Sequence, residues 1–158
     1  MPASTIRPAV MDDVPVILEL IGALGAYEKA SPDDITAEEE DLRKSLFGAQ
    51  PAAEVLLACE GETVVGFAVF FHNYSTWRGK RGLYLEDLFV KPEARGRGHG
   101  KRLFLEVAKA AKDRDCARMN WSVLDWNQPA IDFYCSLGAE PLNEWTTYRL
   151  TRAALERL

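Results

Sequence analysis

The chain has 158 residues, of which 47% are hydrophobic and 27% charged, and its formal net charge is −5 at pH 7. This composition is typical of a single globular domain over residues 1–158, and the negative charge argues against a nucleic-acid partner and mildly favours small cationic molecules. No apolar run approaches the ~20 residues of a membrane-spanning helix, and residues 2–8 lack the apolar stretch of a signal peptide, so we expect a cytoplasmic protein without a membrane partner. Cys59, Cys116 and Cys135 show no metal-binding spacing, and we predict no bound metal.

One strand and two helices are predicted before residue 50. Thr5–Ala9 has the pattern of a short edge strand. Apolar residues recur at helical spacing from Val14 to Leu24, and Asp12 precedes them as a candidate N-cap. Thr36–Glu39 has the pattern of a capping box, which predicts the start of a second, short helix.

After residue 50 strands and helices alternate. Apolar, β-branched runs at Glu54–Cys59 and Thr63–His72 flank Glu60–Glu62, which is a hairpin signal. Gly138 follows the last long helix as its expected C-cap. The order of elements predicts an α/β (α+β) fold in which helices cover a mixed sheet. The further predicted elements are strands at 83–90, 118–124 and 145–150, helices at 103–111 and 128–137, and a helical turn at 151–158.

A glycine-rich loop, RGRGHG at Arg95–Gly100, lies between a predicted strand and a predicted helix. Glycines let backbone N–H groups approach an anion, and a helix N-terminus adds unpaired donors and partial positive charge. A P-loop requires glycine at position 95, and a Rossmann loop beginning at Gly96 requires glycine at position 101, so the arginine and lysine found there exclude both. The side chains that would add positive charge around the anion are Arg95, Arg97, Lys101 and Arg102.

The pattern that fits this loop is R-x-x-G-x-G, and it resembles the acyl-CoA loop of the GNAT acetyltransferases. The segments Tyr84–Pro92, Trp126–Tyr134 and Leu137–Ala139 resemble the neighbouring motifs of that superfamily in order and spacing. The chain is therefore identified as a member of it. The resemblance implies the GNAT fold, with a mixed central sheet of about six to seven strands and about four helices, and acetyl-CoA as the acyl donor. Further motifs at 6–9, 24–28, 65–68, 84–87 and 126–127 resemble the spermidine/spermine N-acetyltransferase family, which includes the thialysine acetyltransferases.

Acetylation of an amine requires a proton acceptor, because a protonated alkylamine has a pKa around 10 and must lose a proton before it attacks. Glu86 is the candidate, and the resemblance implies a substrate-binding carboxylate there; an ordinary strand residue is the alternative. Asp87 is a lesser candidate, and strand alternation predicts that its side chain and that of Glu86 point to opposite faces. The other expected substrate contacts are Tyr27 and Glu28, which match a pair in the resembling family, and Trp77 and Trp126 as apolar walls.

Tyr134 is the candidate general acid for the leaving thiolate, as the resemblance implies, and a core aromatic is the alternative. Asn127 could cap the helix that follows it and also contact the acyl-CoA chain. The resemblance also implies that a backbone N–H near Leu88 holds the oxyanion. We assign neither a metal nor a base role to His72 or His99. The residues expected to bind the acyl donor are Leu88, Phe89, Val90, Arg95, Gly96, Arg97, Gly98, His99, Gly100, Lys101, Asn127 and Ala130.

The sequence thus predicts an enzyme that acetylates a small cationic primary amine, such as a polyamine, a diamine or a lysine-like amino acid, by direct attack in a ternary complex. Residues 141–147 carry one carboxylate, Glu144, where polyamine-acetylating members of the resembling family are acidic, which favours a shorter substrate. Acetylation of a protein or peptide and a non-catalytic acyl-CoA-binding module are the alternatives. The resembling family is homodimeric, and a final strand at 145–150 could pair or be exchanged across a two-fold axis, so we predict a homodimer.

Overall fold

The computed structural model describes residues 3–158, which separate into two compact units, one that ends at Ser122 and one that comprises Val123–Leu158. The prediction of a single domain also covers residues 1 and 2, which lie outside the described residues, and it stays a prediction. Within residues 3–158, every helix is too short or too polar to span a bilayer.

The first unit contains a mixed five-stranded sheet. Its strands, in the order in which they lie in the sheet, are β1 (Ser4–Pro8), β2 (Glu54–Glu60), β3 (Thr63–Ser75), β4 (Lys80–Val90) and β5 (Met119–Asn120). Neighbours from β1 to β4 are antiparallel, and β5 is parallel to β4. The predicted mixed sheet is confirmed, but the described residues form five strands and not six to seven. β5 is shorter than the predicted strand 118–124, and residues 145–150 lie outside the sheet.

Three α-helices belong to the first unit and two to the second. They are α1 (Val14–Tyr27), α2 (Glu39–Phe47), α3 (His99–Asp113), α4 (Gln128–Ser136) and α5 (Arg152–Leu155). The sequence predicted about four helices, and the fifth is the C-terminal turn, which forms a four-residue helix.

Two helix starts differ from their predicted caps. Before α1, the carboxylate that accepts the N–H of Val10, at 2.8 Å, belongs to Asp13 and not to Asp12. Arg7 holds Asp13 there through two hydrogen bonds of 2.7 and 2.9 Å. α2 begins later than the predicted capping box, and Asp41 accepts the N–H of Glu38 at its start. In both places the carboxylate that accepts the backbone N–H lies one or two residues after the predicted one. The sequence around each helix start thus offers two carboxylates at capping distance, and the local pattern does not choose between them.

α1 and α2 cover one face of the sheet, and their apolar residues pack with Leu57, Phe67 and Phe89 in one core. Because side chains alternate along a strand, Ala58 and Ala68 point to the other face, where α3 contacts β3 and β4. The apolar side chains that α3 buries are Leu103, Phe104, Val107 and Ala111. The sheet is thereby covered on both faces, and the C-terminal half of β4 lies between the end of α1 and the start of α3.

β4 carries a bulge at Glu86. Val69 and Phe70, which are consecutive in β3, pair with Asp87 and Leu85, so Glu86 is an extra residue without a partner in β3. A bulge interrupts the alternation of side chains and bends the strand. The parallel pairing with the short β5 ends at Tyr84, before the bulge.

Candidate active site

Three carboxylates, Glu28, Glu86 and Asp87, form an acidic cluster at the bulge in β4. Glu28 directly follows α1, and the other two residues lie at the bulge. Burial, and then the charge of Glu86, raise the pKa of Glu28 above its ordinary value. Burial raises the pKa of Asp87 to about 6, with smaller contributions from the charges of Glu86 and Glu28. Because the three charges repel one another in one neighbourhood, a bound cation would stabilise the acidic cluster.

The bulge lies at Glu86 and Asp87, whose side chains the sequence predicts on opposite faces of the sheet. Asp87 pairs with Val69, which packs against the core under α1, so Asp87 lies on the α1 face. The extra residue breaks the two-residue period at Glu86, and its charge acts on both Asp87 and Glu28. The two neighbouring carboxylates therefore belong to the same electrostatic site.

Tyr27 links the acidic cluster to the residues that follow β4. It is the last residue of α1, and its ring centre lies 6.3 Å from that of Phe89. The guanidinium carbon of Arg95 lies 4.8 Å from the Tyr27 ring centre, and Arg95 Nε donates to the carbonyl of Val90 at 2.9 Å. Tyr27 is thus packed against Phe89 and Arg95, and Arg95 already uses one of its donors within the protein.

One edge of β4 has no strand partner among the described residues between the bulge and Val90. The N–H of Lys91 donates to the carbonyl of Val65 in β3 at 2.8 Å. Since the backbone groups of consecutive strand residues point to alternate edges, the N–H groups of Leu88 and Val90 face away from β3. Phe89 directs its N–H toward β3 and buries its ring in the core. The open edge next to the acidic cluster therefore presents the Leu88 N–H as a donor.

The glycine loop has the geometry of an anion cradle. Gly96 and Gly98 adopt φ angles of 79° and 83°, which strain any residue that has a Cβ. Apart from the glycine itself and its two chain neighbours, no atom of residues 3–158 lies within 4 Å of the position that a Cβ would take at either glycine. Gly98 is the N-cap of α3, so the N–H groups of the first helical turn have no acceptor within the helix. Open space beside unpaired donors fits a pyrophosphate group.

The predicted cations of the loop are not equivalent in the structure. Arg97 Nη1 lies 2.7 Å from both carboxylate oxygens of Glu60, so its charge is already paired. Arg102 donates to the carbonyls of Arg97 and Gly98. Lys101 is exposed, and among residues 3–158 its ammonium group forms no hydrogen bond or ion pair. Lys101 is therefore the loop cation best placed for a phosphate oxygen.

In the second unit, Asn127 caps α4, as predicted. It is buried, and its Oδ1 accepts the N–H of Ala130 at 3.4 Å. Tyr134 lies in the second half of α4, half-buried, with its ring centre 5.4 Å from that of Phe133. Trp126 is exposed directly before the cap. The helical framework predicted for these residues is present.

Sequence reasoning missed the surroundings of His99, to which it assigned no partner. The imidazole is buried, and its two nitrogens contact Ser4 and Glu60. No local pattern signals these contacts, because the partners come from strands far away in the sequence. Trp77, predicted as an apolar wall, is 90% exposed in the turn between β3 and β4. The part of the chain that the structure describes contains no group of three or more His, Cys, Asp or Glu side chains suited to a metal ion.

Comparisons with known proteins match the part of the chain that contains these site residues. The sequence model of the acetyltransferase (GNAT) family matches residues 21–139. A thialysine N-epsilon-acetyltransferase from Bos taurus is 42% identical over 164 residues, which cover 97% of this chain and 95% of that protein. An L-ornithine N5-acetyltransferase from Arabidopsis thaliana is 39% identical, over 82% of this chain and 58% of that protein. A solved structure of an integron cassette protein from the mobile metagenome of V. cholerae superposes with a TM-score of 0.81 at 27% identity, covering 98% of this chain and 96% of that one. The acidic cluster, the glycine loop and α4 all lie inside the matched range.

Proposed function

The chain belongs to the acetyltransferase (GNAT) family, and we propose that it transfers an acetyl group from acetyl-CoA to a primary amine of a small cationic substrate. The observation that carries this proposal is the acidic cluster at the bulge, beside the open edge of β4. Carboxylates that repel one another attract a protonated amine. A backbone donor at the neighbouring edge supports a reaction in which negative charge develops on a carbonyl oxygen.

The glycine loop and the open edge of β4 are the proposed binding residues for the acyl donor. Acetyl-CoA supplies an activated acetyl group as a thioester. The N–H groups of the first turn of α3, together with Lys101, would hold its pyrophosphate, which the open space at Gly96 and Gly98 supports. The backbone of Leu88 and Val90 would pair with the pantetheine arm, and the Leu88 N–H would stabilise the oxyanion.

The acidic cluster is the proposed proton acceptor. Glu86 would hold the ammonium group and take its proton, directly or through water. Asp87, with its pKa raised to about 6, is largely ionised at neutral pH and lies near the optimum for a general base, so we include it in this step. The neutral amine nitrogen then attacks the thioester carbonyl, and the C–S bond breaks as the tetrahedral intermediate collapses. Tyr134 is the proposed donor of a proton to the departing thiolate, and the proton that the new amide nitrogen releases would restore the Tyr134 hydroxyl through water.

The relatives suggest which amines to test first. Thialysine and ornithine, which their names give as substrates, are amino acids with a terminal side-chain amine. Residues 141–147 carry one carboxylate, which supports a short substrate rather than a long polycation. We therefore propose a lysine-like amino acid or a short diamine ahead of a polyamine.

A panel of amines would test the proposed activity. Release of the CoA thiol is followed with thialysine, ornithine, lysine, putrescine, spermidine and a lysine-containing peptide. We expect the highest kcat/KM with one of the short amines, and intersecting initial-rate lines, as direct transfer in a ternary complex requires. Parallel lines would exclude direct transfer, and a preference for the peptide would exclude a small-molecule substrate.

Two variants test the assigned residues. Tyr134→Phe and Glu86→Gln should each lower kcat by about 100-fold or more, the usual loss when a general acid or base is removed. Tyr74→Phe, at an exposed position in β3, and Glu62→Gln, in the exposed turn after β2, are matched controls that should retain activity. If no amine accelerates thiol release above background and the two active-site variants behave like wild type, the proposed function is wrong.

We further propose that the enzyme is a homodimer. Trp145 and Tyr148 are 72% and 91% exposed, and no described strand pairs with residues 145–150. An exposed segment with aromatic and β-branched residues supports pairing with a second copy. Light scattering at micromolar concentration should give twice the mass of the chain, and a monomer mass would contradict this part of the proposal.

A further inference from the structure

His99 is a polar residue that the structure buries almost completely, with 2% of its surface exposed, although the loop before it is exposed. It is the first residue of α3. Its Nε2 lies 2.7 Å from Oε1 of Glu60, and its Nδ1 lies 3.1 Å from Oγ of Ser4. Nε2–H donates to the carboxylate in either protonation state of the ring. With both nitrogens engaged and no access to a ligand, the imidazole is placed to fix structure and not to transfer protons.

The two partners of His99 lie opposite each other in the sheet. Ser4 of β1 and Glu60 at the end of β2 form a direct cross-strand pair, so their side chains leave the sheet on the same face. His99 therefore attaches the N-terminus of α3 to β1 and β2, in addition to its covalent connection to β4. The helix end that carries the unpaired N–H groups is held at two separate places.

Glu60 also holds the loop before the helix through Arg97. The hydrogen bond from His99, and then that from Arg97, lower the pKa of Glu60, which keeps it ionised. Gly98, with its positive φ, lies between the two residues that Glu60 binds. One carboxylate thus anchors the chain on both sides of the glycine whose conformation directs the loop.

Given the proposed function, we propose that His99 and Glu60 are positioning residues for the pyrophosphate of the acyl donor. They hold the loop in the conformation that directs the first-turn N–H groups of α3 at the anion. A loop that is ordered before binding loses less conformational entropy when the ligand arrives. Arg97 then helps to hold the loop through its ion pair with Glu60, while the backbone N–H groups of the loop and the Lys101 side chain bind the phosphate.

Comparison of two acyl donors tests this role. Acetyl-CoA contains the pyrophosphate, whereas S-acetylpantetheine presents the same thioester without it. His99→Leu should lower kcat/KM with acetyl-CoA by about ten-fold, the size of one hydrogen bond to a charged group, and leave that with S-acetylpantetheine within about two-fold. The ratio of the two values does not depend on the fraction of folded enzyme. His99→Gln, which can still donate to Glu60, should recover part of the loss, and Glu60→Gln should show an intermediate, donor-specific loss.

His72→Leu is the matched control. His72 lies in β3, where its Nε2 is 3.3 Å from Arg114, and its replacement should leave the donor ratio unchanged. A ratio in His99→Leu and Glu60→Gln equal to that of wild type would overturn the positioning role. If wild-type protein acetylates no amine with either donor, the proposed function fails separately. Calorimetry with CoA then decides the positioning role, because equal CoA affinity of wild type and both variants overturns it and a loss of about ten-fold supports it.

Discussion

Within the acidic cluster, Asp87 is the carboxylate whose pKa is raised most, and Asp87→Asn replaces it with a neutral amide. Burial is the main reason that its pKa lies at about 6, and the charges of Glu86 and Glu28 add to it. A group whose pKa is higher in the folded state than in the unfolded chain binds protons more tightly when the protein is folded. The wild-type protein therefore loses stability as the pH rises from about 4 to about 6 and this carboxyl group ionises. Asp87→Asn avoids that loss.

The size of the effect follows from the displacement of the pKa. A change from the ordinary value of 3.8 to about 6 corresponds to about 3 kcal/mol in the free energy of unfolding. Near pH 8 the carboxylate is ionised in both states, and the variant should be more stable than wild type by up to about 3 kcal/mol. Near pH 4 the folded state holds a protonated carboxyl group, and the gain should fall below about 1 kcal/mol.

Urea unfolding of both proteins at pH 8 and pH 4 measures this difference. Asp13→Asn is a control of opposite sign, because the hydrogen bond from Arg7 lowers the pKa of Asp13 and its removal should destabilise the protein at pH 8. Acetyl transfer by Asp87→Asn should fall while its stability rises, as expected when a strained site is relieved. Equal stability of Asp87→Asn and wild type at pH 8, or the same gain at both pH values, would refute the assignment of a destabilised carboxylate.

Two further substitutions test the loop and the core. Gly98→Ala should lower the free energy of unfolding by about 1–2 kcal/mol because of the positive φ, and it should raise the KM for acetyl-CoA. Gly61 has a φ of 61° in the hairpin turn and equally open space around it. Gly61→Ala should therefore show a similar loss in thermal unfolding without a change in KM. An equal KM in the two variants would contradict the assignment of the loop. Phe67→Ala leaves a cavity in the fully buried core and should lower the free energy of unfolding by about 3–5 kcal/mol in urea titration. A loss below about 1 kcal/mol would contradict the packing of α1 on β3.

Local patterns in the sequence were sufficient for the elements whose ends depend on neighbouring residues. The hairpin between β2 and β3 turns at Gly61, where the predicted turn lies. α4 begins after the cap Asn127, and Gly138, with a φ of 89°, follows its end. The glycine loop precedes α3 as expected. In each case the hydrogen bonds or backbone angles that define the boundary are made within a few residues.

Features that depend on distant contacts could not be predicted in this way. Residues 145–150 have the composition of a strand, but a strand forms only where it pairs with another, and among the described residues 145–150 pair with none. The contact of His99 with Glu60 joins residues 39 positions apart. Periodicity places Glu86 and Asp87 on opposite faces, and only the pairing with β3 reveals the extra residue.

The bulge at Glu86 adjoins both halves of the proposed site. Without it, Asp87 and Leu85 would share a face of the sheet, because a one-residue shift in register moves every following side chain to the other side. Leu85 pairs with Phe70, whose neighbour Val69 packs under α1, so Leu85 faces α3. The bulge lets Leu85 face α3 while Asp87 and Phe89 face α1. The pairing with β5 ends at Tyr84, before the bulge, and the N–H groups of β4 that follow the bulge are unpaired by a strand, so the carboxylates proposed for the amine and the donor proposed for the oxyanion adjoin the same irregularity.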